Sequence, residues 1–342
     1  MPEPIMREHP LRTGTRLTEL GLGAAQLGNL YRETTDQEAR AAVDAAWDAG
    51  VRYFDTAPHY GLGLSERRLG AALAGRPRDE FVVSTKVGRA LVPTPERAHL
   101  PDDDGFAVPA AHRREWDFSR DGVLRSLEGS LDRLGLDRVD VVYLHDPDAH
   151  WEQASTSGVG ALVELRDQGV VSAIGAGMNQ SAMLARFVRE TDVDVVMCAG
   201  RFTLVDAAAV ADLLPAAVER GVSVVAAAVY NSGLLANPRP RPGARFDYAE
   251  APGDLVARVH RIADVAEPYG VTVPDLAARF ALRHPAVASV VMGMRTAAHV
   301  TTSAERIARD VPEELWAELD RLGLVPAEGL APHEPPTGRS TS

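Results

Sequence analysis

Three short apolar runs each carry an ionisable residue at or near their ends: Asp55 in VRYFD, Lys86 in FVVSTK and His145 in VVYLH. Tyr60 follows Asp55 by five residues, in the turn-forming segment TAPHYG. Lys86 is the only lysine in a chain with 36 Lys and Arg residues. Tyrosine ordinarily titrates near about 10 and is a poor acid or base at neutral pH. A neighbouring cation favours the phenolate, and an ammonium supplies that charge more compactly than a planar guanidinium. A carboxylate at Asp55 would hold the ammonium, and His145 would hydrogen-bond a substrate oxygen. Together the four describe a tuned general acid/base aimed at a carbonyl or hydroxyl. Each also has a structural alternative: an Asp–Lys ion pair at strand ends, a packed loop tyrosine, a satisfied core histidine.

Chemistry of this kind needs the strand ends to meet. Eight β-rich runs alternate with helical patterns, at 17–25, 51–57, 81–87, 139–145, 171–177, 193–200, 222–229 and 287–293. TTDQEARAAVDAAWDAG places Ala39, Val43 and Ala46 on one helical face and stops at Gly50. SRDGVLRSLEGSLDRLG opens on Ser119, a good N-cap, and closes on Gly135. Strictly alternating strands and helices predict a parallel sheet, and eight such units predict a (β/α)8 TIM barrel, with a doubly wound sheet as the alternative. In the barrel, all eight C-terminal strand ends point into one cleft. Long loops follow the third and seventh runs, residues 88–118 and 230–253, and are expected to act at that face. We expect one barrel over 1–324 and a disordered tail over 325–342.

The net charge of −12 and the absence of a basic stripe argue against nucleic acid as a partner. No apolar stretch approaches 18 residues and the N-terminus lacks an apolar leader. With Cys198 as the one cysteine, no intrachain disulfide forms, and a soluble cytoplasmic protein with no membrane partner is expected. Cys198 itself, within DVVMCAG, reads as a buried thiol.

FDTAPHYGLGLSERRLG, then STKVGR, then VDVVYLHD resemble the aldo/keto reductase superfamily in order and spacing, over nearly the whole chain. The resemblance implies a barrel that binds NADP(H) or NAD(H) without a Rossmann motif, and no GxGxxG is present. It places a catalytic tetrad on Asp55, Tyr60, Lys86 and His145, with Tyr60 as the proton donor or acceptor. It also implies cofactor contacts from Asn179, Gly293, Arg295, Thr296 and Tyr230. Arg295 would pair a 2′-phosphate, and the helix after Thr296 would offer its N-terminus to an anion. Several cofactor positions depart from the family: the Ser-Asn pair after the fifth strand becomes Gly177-Met178, with Asn179 one residue on. The stacking tyrosine after the seventh strand aligns with Ala227, three residues before Tyr230, and the adenine-side Glu-Asn becomes Thr302-Ser303. HDPD, GAGMNQ, AGRFTLVD and NSGLLAN resemble the sugar-oxidising, D-threo-aldose 1-dehydrogenase branch. That branch implies a carbonyl or sugar substrate, with His59, Trp116 and Asp146 as its contacts. Packing or surface roles remain open for all three.

Two other functions compete. A nucleotide-sensing regulatory barrel, resembling potassium-channel β-subunits, would share the fold and the tetrad. A metal-dependent barrel hydrolase would use His59, His145, Asp55 and Asp146, but usually needs a His-x-His pair in the first strand, where GLGAAQLG has no histidine. No metal is expected.

Overall fold

The computed structural model describes residues 6–247 and 249–326. Its centre is a closed barrel of eight parallel strands. They are β1 (Leu20–Gly23), β2 (Tyr53–Asp55), β3 (Val82–Val87), β4 (Val141–His145), β5 (Ala173–Met178), β6 (Val195–Ala199), β7 (Ser223–Ala227) and β8 (Val287–Gly293). Each pairs with the next, and β8 closes on β1 through Val290 opposite Leu20. The strands are buried on both faces, which is why their sequences are continuous apolar runs rather than alternating ones.

Helices α1 (Asp36–Asp48), α2 (Leu64–Leu73), α3 (Arg120–Leu134), α4 (Val159–Asp167), α5 (Ser181–Glu190) and α6 (Leu213–Arg220) follow the first six strands. Next, α7 (Gly253–Ala266) and α8 (Val273–Phe280) lie between β7 and β8, and α9 (Ala297–Ala308) and α10 (Glu313–Arg321) follow β8. Local chemistry fixes their ends. Thr35 and Glu38 form a capping box that starts α1, whose buried face is Ala39, Ala42, Val43 and Ala46. Ser119 Oγ accepts from Gly122 N at 3.1 Å to start α3, and Gly135 ends it in the left-handed region.

The first run does not form one strand. It divides at Glu19: Arg16–Thr18 pairs antiparallel with Glu8–Pro10, and only Leu20–Gly23 enters the barrel. The hairpin contributes Leu11 and Leu17 to the inner cluster, against Tyr53, Val141, Tyr143 and Val225, and so closes the barrel floor. The 88–118 excursion is built around a second hairpin, Arg89–Pro93 paired with His112–Trp116. The 230–253 excursion holds a 3-10 segment at Asn231–Ala236 and a two-residue ladder, Arg245–Phe246 with Ala249–Glu250. The tail expected to be disordered lies, from residue 327 on, outside the described residues. Among the described residues, no helix is long and apolar enough to cross a membrane.

Candidate active site

β2, β3 and β4 are neighbours, so their C-terminal ends bring Asp55, Lys86 and His145 to one side of the mouth. Lys86 Nζ donates to Asp55 Oδ2 at 2.7 Å and to the Thr56 carbonyl at 3.0 Å. Both side chains are 3% exposed. The other carboxylate oxygen, Oδ1, accepts from Ser84 Oγ at 2.7 Å. Ser84 Oγ is 3.1 Å from the Tyr53 hydroxyl, which lies 3.2 Å from that of Tyr143. A buried file of hydroxyls thus underlies the ion pair, and sequence patterning gave no sign of it.

Tyr60 arrives from the turn after β2. Its backbone is pressed against the segment after β1: a Cβ on Gly61 would lie 2.2 Å from the Gly28 carbonyl oxygen. Two glycines in contact therefore let the chain set the phenol above Lys86, whose Nζ is 4.8 Å from the ring centroid. The phenol does not end up more acidic than ordinary tyrosine. Burial raises its pKa, and the opposing pull of Lys86 leaves the net direction upward. For Lys86, burial works against the charge, but Asp55 and Tyr60 together outweigh it and the net shift is also upward. Lys86 is a charged ammonium beside a neutral phenol.

His145 is held neutral. Burial depresses its pKa well below the ordinary histidine value, aided by Arg89 and Lys86. Its Nδ1 is buried with no hydrogen-bond partner among the described residues. His59, whose ring meets that of His145 edge-on at 5.4 Å, is pushed down to about 2 by burial and by Arg89 and Arg114. Burial raises the Asp146 carboxyl, against the pull of Arg89.

One cavity of about 520 Å³ is lined by all four proposed tetrad residues together with His59, Asp146, Asn179 and Gly293. A second, of about 650 Å³, continues from it over the ends of β7 and β8 and contains Tyr230 and Asn231. Gln26, Tyr31, Arg245 and Gly293 line both. Gln26 Oε1 and Asn231 Oδ1 are buried without partners among the described residues, so the groove offers acceptors to a ligand bearing amide or hydroxyl donors. Among the described residues, no three His, Cys, Asp or Glu side chains form a metal-binding group.

The other expected residues make contacts that the sequence reading did not foresee. Arg295 is 6% exposed, and its Nη1 and Nη2 are engaged: they donate to the Leu30 carbonyl at 2.6 Å, the Arg32 carbonyl at 3.0 Å and the Thr34 hydroxyl. These bonds strap the 30–34 segment to the end of β8. Thr296 caps α9, accepting from His299 N at 3.3 Å. Tyr230 accepts from Arg306 Nη1 at 3.1 Å. Asn179 does not cap α5; its Nδ2 donates to the Ala199 carbonyl at 3.0 Å. Trp116 does not line the cavity and packs on the Arg89 guanidinium, 4.5 Å from the ring centroid. Arg89, Gln26 and Asn231 were missed by sequence reasoning. The nearest signal was STKVGR itself, where Arg89 follows Lys86 by three residues.

Residues 19–323 match the model of the aldo/keto reductase family. The chain is 49% identical to a D-threo-aldose 1-dehydrogenase from Pseudomonas sp, over 92% of this chain and 96% of that one. It is 39% identical to a pyridoxal 4-dehydrogenase from Microbacterium luteolum, again over 92% and 96%. The holo form of an aldo-keto reductase from Bacillus halodurans superposes with a TM-score of 0.73 at 23% identity, over 94% of this chain and 97% of that one, a likeness of fold.

Proposed function

The chain belongs to the aldo/keto reductase family and is a nicotinamide-dependent oxidoreductase; on that premise we propose that it oxidises an aldose at C1 to a lactone, with NAD+ as the preferred acceptor. The observation that carries this reading is the company Tyr60 keeps: two neutral imidazoles, His59 and His145, and the Asp146 carboxylate share its cavity. Neutral imidazole both donates and accepts, which suits a ligand dense in hydroxyls better than a plain aldehyde. The relative named as an aldose dehydrogenase supports the same substrate class.

When bound, the nicotinamide supplies the hydride acceptor. The chain's residues handle the proton and the position. Tyr60, as phenolate, takes the C1 hydroxyl proton while the C1–H bond breaks and the C1=O bond forms. Lys86 stabilises the phenolate, and Asp55 holds Lys86 in place. His145 hydrogen-bonds the C1 oxygen as it becomes a carbonyl. The unpaired oxygens of Gln26 and Asn231 would receive the cofactor's amide or ribose donors. NAD+ is favoured because Arg295, the residue placed to pair a 2′-phosphate, is spent on Leu30, Arg32 and Thr34. A cytoplasmic setting accords with Cys198, a buried thiol whose pKa burial raises to about 12.

The test is a spectrophotometric assay of NAD+ and NADP+ reduction across a panel of aldoses, with Tyr60→Phe as control. NAD+ should be the better acceptor. The variant should bind cofactor normally, read by fluorescence, and lose about 10²- to 10⁴-fold in turnover. An enzyme that turns over no aldose refutes the substrate; one that prefers NADP+ refutes the cofactor assignment.

A further inference from the structure

We infer that Arg89 is the positioning residue that makes this site selective for uncharged polyols, by holding Asp146 and His59 as a hydroxyl-reading pair beside Tyr60. The inference rests on the aldose reading above and specifies what recognises the sugar beyond C1.

Arg89 stands where three elements meet. It begins the hairpin after β3, in register with Trp116, whose ring lies under its guanidinium. On the other side, Nη2 donates to Asp146 Oδ2, at the end of β4. Nη1 sits 3.4 and 3.5 Å from the two ring nitrogens of His59, in the turn after β2. These distances put the guanidinium within reach of both ring nitrogens. A protonated His59 would be repelled there, so the geometry itself selects the neutral ring.

Asp146 is fixed by its backbone as well. It adopts φ 45°, unusual for a residue other than glycine, and its N–H donates to the Gly177 carbonyl at 2.9 Å. Arg89 occupies only Oδ2. Oδ1 makes no hydrogen bond among the described residues, and Asp146 lines the cavity. A substrate hydroxyl can donate to Oδ1, and its neighbour can accept from or donate to His59.

Charge pairing explains the preference for a neutral ligand. Asp55 is matched by Lys86, Asp146 by Arg89, and Asp104 by Arg114. Phosphorylated or carboxylated sugars would find no unmatched cation in these pairs, and Arg245, which also lines the cavity, is not free either. With Arg89 removed, Asp146 loses its guanidinium partner and His59 loses one of the cations that, with burial, keep it neutral.

The experiment compares a neutral aldose with 2-hydroxytetrahydropyran, a cyclic hemiacetal that presents the same C1 chemistry without ring hydroxyls. Wild type, Arg89→Gln and Asp146→Asn are assayed with each. Asparagine tolerates the left-handed backbone of position 146, and thermal melts report folding separately. Both variants should lose about tenfold or more in kcat/KM for the aldose, mainly through KM, and stay within about threefold for 2-hydroxytetrahydropyran. Equal losses on both substrates, or none on either, overturn the role of Arg89. Wild type inactive on every aldose overturns the aldose reading instead, and the inference with it.

Discussion

At the residue scale, the lone lysine sets two opposed demands on Tyr60. Burial keeps the phenol protonated, and Lys86 draws it toward the phenolate. The net upward shift means that the base needed for oxidation is populated only on the alkaline side. Oxidation, measured as kcat/KM for the aldose, should therefore rise about tenfold per pH unit across neutral pH, with its plateau above the ordinary tyrosine value of about 10. A profile that levels off below pH 8 would show that some other group is the base. Lys86→Arg tests the geometry of the pair. The ammonium fits between Asp55 and the Thr56 carbonyl at 2.7 and 3.0 Å, with 3% of the side chain exposed. The wider guanidinium has no room to keep both contacts and the phenol above. Turnover should fall about 100-fold or more, and near-normal turnover would leave the lysine without a special role. The convergence of these four side chains was legible in the sequence because three of them stand at strand ends and Tyr60 follows one of those ends by five residues. Arg89 was not legible, since nothing in one arginine among so many says that its partners lie 30 and 57 positions away.

At the element scale, the barrel could be read from strands alternating with helices, whereas its additions could not. The floor hairpin hid inside what looked like one strand, because LTELGLG is apolar on both sides of the break at Glu19. The 88–118 hairpin lacked the alternating pattern that marks strands: HRREW is largely exposed and charged. Its anchor is Gly88, with φ 99°, where a Cβ would lie 2.0 Å from the Phe118 ring. Phe118 is wholly buried, so the ring has little freedom to retreat. Gly88→Ala should destabilise the fold by about 3 kcal/mol through backbone strain and overpacking together. Because Arg89 is the next residue, the variant should also raise KM for the aldose, while cofactor affinity, which the proposed site draws from residues over β7 and β8, should hold. Denaturant midpoints and paired KM measurements check this. An unchanged midpoint would mean that the hairpin can shift to admit the methyl group.

At the scale of the whole molecule, the site's uncharged histidines couple catalysis to acid stability. His145 and His59 are both depressed by burial and by the surrounding cations, His59 to about 2. An unfolded chain restores the ordinary value of about 6.5. Below that pH the unfolded state binds protons that the folded state refuses, so stability is full above about pH 6.5 and falls as pH drops. Each histidine contributes a slope of about 1.4 kcal/mol per pH unit once its unfolded form is fully charged. Asp146, raised by burial, acts in the opposite sense and offsets part of this loss. The window from about pH 6.5 to 5 is therefore governed mainly by histidines, before most carboxylates titrate. Urea unfolding across that window should show a steady loss of stability, and His59→Gln should flatten the slope by up to one histidine's share. This variant also separates the two functions assigned to position 59. Glutamine keeps a donor and an acceptor but cannot titrate, so aldose turnover at pH 8 should survive better than in Arg89→Gln while acid resistance improves. A slope unchanged in His59→Gln would remove His59 from the acid-labile groups and leave His145 or groups outside the active-site mouth.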